Sequence, residues 1–159
     1  MAVRLSQLLD PSRITLALQS TGHSAAIDEV AQLLRMHPAV VNFDGFYQTL
    51  LARDRLDTTY LGHGIALPHA RTAHVKANVA AVGRSARGIS YEDNQPPVRL
   101  LFVLGTPRDQ PDEYLKLISL LCRLIKEEAN RTALLNAPTP AAFIATVVEL
   151  ENKILGPAK

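Results

Sequence analysis

The ten residues Val98-Arg-Leu-Leu-Phe-Val-Leu-Gly-Thr-Pro107 (VRLLFVLGTP) decide how this chain folds. The run is almost continuously apolar, and Gly105 and Pro107 end it. A short apolar run bounded by turn residues is typical of a strand that is covered on both faces. We therefore predict a central strand here, in a sheet with helices packed against both faces.

The segments on either side of this strand alternate between strand and helix patterns. Ser24 and Asn42 or Asp44 are the expected N-caps of the first two helices, and Thr139 followed by Pro140 is expected to begin the last one. Residues 57–69 are expected to be extended but interrupted by glycine and proline. The further predicted strands are 13–18 and 78–85, and the predicted helices are 25–37, 44–55, 112–128, 131–135 and 139–154. The fold class is α/β: a single domain, residues 1–159, with a central mixed β-sheet covered by helices on both faces.

Composition narrows the classes of function. The chain has 159 residues, 47% of them hydrophobic and 20% charged, which favours one compact domain. Its 17 basic and 15 acidic residues are interspersed, so we expect no nucleic-acid partner. Neither a signal peptide nor an apolar run long enough for membrane insertion is present, and we expect a cytoplasmic protein. Cys122, the single cysteine, excludes an internal disulfide and is predicted to be a buried thiol.

Residues 62–71, Gly-His-Gly-Ile-Ala-Leu-Pro-His-Ala-Arg, have a composition that neither a helix nor an ordinary strand requires. Glycine relaxes the backbone and proline stiffens it, whereas histidine and arginine handle protons and anions. The pattern indicates a backbone shaped to hold one histidine, His69. A histidine in a loop of this kind can equally be an ordinary surface residue.

The run Gly62-His-Gly-Ile-Ala-Leu-Pro-His69 resembles the phosphorylation motif of enzyme IIA domains of the bacterial phosphoenolpyruvate-dependent sugar phosphotransferase system. The similarity is to the fructose/mannitol class and its nitrogen-regulatory branch. Arg53-Asp54 upstream and Thr58-Thr59-Tyr60-Leu61 match the residues that usually precede the motif. The order of strands and helices extends the likeness over nearly the whole chain, and the resemblance implies the IIA fold of that class.

The resemblance implies that His69 is phosphorylated on Nε2 by a small histidine phosphocarrier protein, without metal or cofactor. Such a carrier needs a neutral ring nitrogen that faces solvent. Pro68 restrains the backbone, and Gly62 and Gly64 are expected to let backbone N–H groups approach a phosphate, with Thr59 in support. Arg53 is expected to offer a guanidinium fork to the phosphoryl oxygens.

Two other interpretations remain open for these residues. Arg53 stands near the end of a predicted helix, where a positive charge already stabilises the helix dipole. His63, His69 and His74 together suggest a metal site, but their spacing fits no established histidine motif, and we expect no metal.

The chain departs from the family pattern at the site. A second histidine usually begins the long helix, and Tyr114 stands in its place, while His63 replaces the usual asparagine. We therefore expect Tyr114 or His63 to point into the site beside Arg53. Ala70, Tyr60 and Thr58 also differ from the usual residues.

Two classes of function follow. The first is a phosphotransferase component that carries a phosphoryl group on His69 and passes it on or holds it as a signal. The second is a binding-only regulator that docks a transporter component or a regulatory kinase through the same face. The absence of IIB and IIC segments in this sequence favours nitrogen- or potassium-type regulation over dedicated sugar uptake. Either class predicts a shallow apolar docking face, lined or supported by Ile65, Leu67 and residues near Tyr114.

Overall fold

The computed structural model describes residues 3–157, which form a six-stranded mixed sheet with five α-helices. The strands are β1 Ile14–Thr15, β2 Tyr60–Gly62, β3 Ile65–Ala66, β4 His69–Thr72, β5 Val79–Ile89 and β6 Val98–Pro107. The helices are α1 His23–Ala31, α2 Phe43–Leu56, α3 Pro111–Lys126, α4 Glu128–Asn136 and α5 Pro140–Leu155. No helix within residues 3–157 is both long and apolar enough to cross a bilayer.

The sheet is built around β6, as its apolar sequence predicts. The strand order is β1-β5-β6-β3-β2, with β4 also paired to β6. β5 runs antiparallel to β6, whereas β3 and β4 both run parallel to it, one after the other. Pro68 lies at the break between β3 and β4, and its carbonyl still accepts a hydrogen bond from the Leu104 amide.

Alternate residues of β6 pack into two separate cores, one on each face of the sheet. Leu100, Phe102 and Leu104 pack with α3, α4 and α5. Leu101 and Val103 pack on the other face with α1 and α2. The prediction of a mixed sheet covered by helices on both faces is confirmed.

The helix ends agree with the sequence where a capping side chain is available. Asn42 accepts a hydrogen bond from the Gly45 amide at the start of α2, and Thr139 caps α5 ahead of Pro140. Ser24 is not an N-cap: Gly22 occupies that position, and α1 begins at His23. The predicted strand 13–18 shortens to two residues that pair with β5.

Two apolar residues of α3 do not face the core. Leu115 is 60% exposed, and the Cys122 thiol is also exposed, so the prediction of a buried thiol is wrong. The buried stripe is Leu117, Leu120, Leu121, Leu124 and Ile125. Apolar residues cover more than one side of this helix, and only its packing against the sheet determines which side is buried.

Candidate functional site

A cleft opens at the free edge of β4. Within residues 3–157, β4 pairs with β6 alone, because β2 extends the sheet beside β3 only. Helix α2 approaches this edge from one face of the sheet and α3 from the other. The cleft has a volume of about 520 Å³, and its lining residues are Thr49, Ala52, Arg53, Leu56, His69, Ala70, Arg71 and Tyr114.

His69 begins β4 and is held there by its own backbone neighbourhood. Its Nδ1 lies 2.7 Å from the carbonyl oxygen of Leu67. A carbonyl oxygen only accepts hydrogen bonds, so Nδ1 carries the proton and Nε2 carries the lone pair. The side chain is only 8% exposed, yet it lines the cleft. The arrangement presents a neutral imidazole with a defined nucleophilic nitrogen.

The electrostatics favour the same form of the ring. Burial lowers the pKa of His69 below its usual value, because the charged imidazolium loses hydration. The hydrogen bond to Leu67 opposes this change, and the positive charge of Arg53 lowers the pKa further. His69 is therefore neutral at physiological pH.

The structure brings Arg53 and Tyr114 to the same cleft as His69. Arg53 lies in the last turn of α2, where its Nη1 donates to the Asp57 carbonyl over 3.4 Å. Tyr114 lies in the first turn of α3, and its ring centroid is 5.5 Å from that of His69. This is the geometry that the sequence predicted for these two side chains, and their chemical roles stay predictions.

The predicted placement of His63, Gly62 and Gly64 needs correction. These residues form the turn between β2 and β3, and all three have positive φ angles. Ile65 pairs with Leu100, whereas His69 pairs with Leu104, four residues further along β6. At roughly 3.3 Å per residue, about 13 Å of strand separates the turn from His69. The glycines shape a turn there instead of cradling a phosphate beside the histidine.

Of the residues predicted to line or support an apolar docking face, those of the strand segment take the supporting position. Ile65 and Leu67 are buried in the core on the α3 side, so they support the cleft from below. Leu56, a large apolar side chain on α2, lines the cleft and is 81% exposed. Leu115, the neighbour of Tyr114 on α3, is also exposed but lines a separate groove with Val3 and Leu155.

Sequence reasoning missed a polar cluster that supports the site. His23 donates from Nε2 to Asp54 over 2.7 Å, lies 2.6 Å through Nδ1 from the Tyr91 carbonyl and stacks on the Tyr91 ring at 3.8 Å. The hydroxyls of Tyr91 and Thr59 are hydrogen-bonded to each other, and both lie within 3.4 Å of the Asp54 carboxylate, to which one of them can donate.

The cluster connects directly to the backbone that holds His69. The Thr59 carbonyl accepts from the Leu67 amide, and the Leu67 carbonyl in turn holds the His69 ring. Thr59 itself is buried and does not line the cleft, so its support is indirect. The acidic residue after Arg53 was the only signal in the sequence, because His23 and Tyr91 are far from the motif along the chain.

The three motif histidines do not converge. The His74 ring packs against Gly45 at the start of α2, away from His69 and His63. Among residues 3–157, no group of three or more His, Cys, Asp or Glu side chains is arranged to hold a metal ion.

Comparisons with known proteins identify the family of this chain. The model for "Phosphoenolpyruvate-dependent sugar phosphotransferase system, EIIA 2" matches residues 7–149. The chain belongs to this family. Members that resemble it include the "Nitrogen regulatory protein" of Pseudomonas aeruginosa, 28% identical over 94% of this chain and 98% of that protein. The fructose-specific EIIABC component of Bacillus subtilis is 31% identical over 89% of this chain, which covers 22% of that longer protein.

Solved structures of EIIA proteins share the fold. The nitrogen regulatory protein IIA-Ntr from Neisseria meningitidis superposes with a TM-score of 0.80 at 26% identity, over 90% of this chain and 98% of that one. The IIA mannitol structure from Escherichia coli gives 0.73 at 19% identity, over 87% of this chain and 98% of that one. The α/β architecture is therefore that of the IIA mannitol and IIA-Ntr structures.

Proposed function

We propose that this EIIA chain is a phosphocarrier with a regulatory role, and that it takes a phosphoryl group on Nε2 of His69. The observation that carries the proposal is the hydrogen bond between His69 Nδ1 and the Leu67 carbonyl. It fixes the tautomer whose free lone pair is on Nε2, on a ring that lines an open cleft. Burial keeps that ring neutral, which is the form that attacks phosphorus.

The transfer conserves charge and needs no cofactor. The Nε2 lone pair of His69 forms a bond to phosphorus while the N–P bond of the donor phosphohistidine breaks, and the donor ring nitrogen keeps the electron pair. The Nδ1 proton of His69 stays in its hydrogen bond to Leu67 and helps to stabilise the positive charge that the phosphorylated ring gains. Arg53 supports the equatorial oxygens, where negative charge accumulates.

The donor in this proposal is a small histidine phosphocarrier protein. The target is a transporter component or a regulatory kinase, reached in the cytoplasm. Two relatives are named nitrogen regulatory proteins, in Pseudomonas aeruginosa and Bradyrhizobium diazoefficiens, which favours a regulatory output. One structural neighbour is a complex of IIA mannitol with phosphorylated IIB mannitol, and it offers a precedent for passing the group to another protein.

Incubation with phosphoenolpyruvate, the first enzyme of the system and its phosphocarrier, followed by intact-mass measurement, tests the proposal. We expect one added phosphoryl group on the wild type, none on His69→Ala or His69→Gln, and labelling of the matched control His63→Ala. A thermal melt of each variant verifies folding. Full labelling of His69→Gln contradicts the site. A wild type that stays unlabelled while still binding a partner supports the binding-only alternative.

A further inference from the structure

Arg71 lines the cleft beside His69, although the histidine motif predicts no role for it. It follows His69 by two residues on β4, and side chains two apart on a strand point to the same face of the sheet. That face is the one covered by α3, because Ala70, which lies between them on β4, packs into the core on the opposite side with α1 and α2. Arg71 and His69 therefore point towards the helix that carries Tyr114.

The Arg71 guanidinium is held near the histidine by an aromatic contact. Its central carbon lies 5.7 Å from the centroid of the Tyr114 ring. This is within the range of about 6 Å for an attractive cation–π contact. The same Tyr114 ring is 5.5 Å from the His69 ring. Tyr114 thus forms the wall on which an exposed arginine rests beside the nucleophile.

The Arg71 guanidinium is available to bind an anion in the cleft. Among the described residues, no carboxylate is in salt-bridge contact with Arg71, and none lines the cleft. Arg53 from α2 and Arg71 from β4 supply two guanidinium groups at the same opening. Guanidinium groups that lack a protein carboxylate retain their paired N–H donors for phosphoryl oxygens.

We propose that Arg71 binds the transferring phosphoryl group as the second cation of the site, with Arg53 as the first. It supplies positive charge beside the ring of Tyr114, whose hydroxyl is uncharged at neutral pH. The inference rests on the proposed function, because it requires a phosphoryl group on Nε2 of His69. The covalent step is unchanged: the N–P bond to His69 forms as the donor N–P bond breaks, and Arg71 only stabilises charge on the oxygens.

Two phosphoryl donors distinguish an effect of Arg71 on the phosphoryl group from an effect on the docking of a partner protein. The first is the phosphorylated phosphocarrier protein at varied concentration, and the second is phosphoramidate, a small N–P donor that docks no protein surface. The variants are Arg71→Ala and Arg71→Lys. The matched control is Arg87→Ala, which removes an exposed positive charge from β5, outside the cleft.

For Arg71→Ala we expect the maximal rate to fall at least about tenfold with both donors. Arg71→Lys should recover part of the loss, because it restores the charge but not the two-pronged geometry. Arg87→Ala should remain within about twofold of the wild type. The melting temperature of all three should match the wild type, since both arginines are exposed.

Two results would overturn the inference about Arg71, and a third would overturn the proposed function. A maximal rate for Arg71→Ala equal to the wild type overturns the inference and leaves the proposed function intact. A defect seen only with the phosphocarrier, only in KM, and abolished by salt assigns Arg71 to steering of the partner and also overturns it. A wild type that neither donor labels overturns the proposed function itself.

Discussion

The Tyr114 ring lies 5.5 Å from the His69 ring and is inclined to it by 44°. A tyrosine hydroxyl can donate one hydrogen bond to a phosphoryl oxygen but carries no positive charge at neutral pH. The aromatic neighbour therefore shapes the site and contributes less charge stabilisation than an imidazolium would. We therefore expect the efficiency of transfer to depend on the two arginines, Arg53 and Arg71.

Replacing this tyrosine tests that dependence. We expect Tyr114→His to accelerate phosphorylation of His69 by the phosphocarrier. A protonated imidazole places a positively charged hydrogen-bond donor where tyrosine has only a neutral hydroxyl. Tyr114→Phe is the control, since it keeps the ring and removes only the hydroxyl, and it should slow transfer by less than about tenfold. Rates come from a phosphorylation time course. An unchanged rate for Tyr114→His contradicts the prediction.

Arg53→Ala should slow transfer far more than it lowers stability. Loss of one donor to developing charge typically costs about 10²–10³ in rate. A charge at a helix end contributes only about 0.3–1 kcal/mol to stability. Arg55→Ala is the matched control, because Arg55 lies in the same last turn of α2 but does not line the cleft. If the two variants transfer at equal rates, Arg53 acts only on the helix dipole.

The protonation of His69 is expected at a pH below its usual range. Burial and the Arg53 charge both lower the pKa of His69 from 6.5, so the neutral, reactive ring persists as the pH falls through that value. An NMR titration should place the midpoint below 6.5, with the signal assigned by its absence in His69→Gln. Arg53→Ala should move the midpoint upward, because it removes the Arg53 charge, which is one of the two effects that lower the pKa of His69. A wild-type midpoint at or above 6.5 would falsify this.

The cluster around Asp54 should be important for stability. His23→Ala leaves Oδ2 of Asp54, whose side chain is 11% exposed, without its hydrogen bond to His23 and removes the stack on Tyr91. The hydroxyl contacts of Thr59 and Tyr91 to Oδ1 remain. Loss of one partner of a largely buried polar atom costs about 1–3 kcal/mol, so we expect the free energy of unfolding to fall by that amount. Urea denaturation gives the free energy of unfolding of His23→Ala, Asp54→Asn and the double variant. Compared with the wild type, these values give the coupling energy between His23 and Asp54. Additive effects would show that the two side chains are independent.

The two turn glycines should differ in tolerance. Alanine at Gly64 meets a positive φ of 77° and places Cβ 3.0 Å from the Pro97 carbonyl, whereas Gly62 has a positive φ but open space. We expect Gly64→Ala to lose more melting temperature than Gly62→Ala, with strain of about 1–2 kcal/mol common to both. Neither should slow phosphorylation of the folded protein, because the turn is remote from His69. Slowed transfer by folded Gly62→Ala would restore the phosphate-cradle interpretation.

Much of the fold was predictable, because the relevant signals are local. The apolar run of β6 and the caps at Asn42 and Thr139 each indicate an element without reference to the rest of the chain. The burial of α3 was harder to predict: the exposure of Cys122 depends on which side of an apolar helix meets the sheet. At the site, the motif predicted that Arg53 and either His63 or Tyr114 lie beside His69; the cleft contains Arg53 and Tyr114, and distance along the strand, which the motif does not give, keeps His63 outside it.

The sequence by itself determined the α/β class, the central strand and the histidine motif, since these depend on residue type and spacing along one stretch of chain. Only the tertiary structure decided which motif residues share a cleft. The break at Pro68 lets β3 and β4 follow each other along β6, so that β4 keeps a free edge while β2 covers β3. Arg53, Arg71 and Tyr114 meet His69 at that edge because α2 and α3 approach it from opposite faces. Strand pairing and helix packing of this kind join residues far apart in the chain, and no local pattern encodes them.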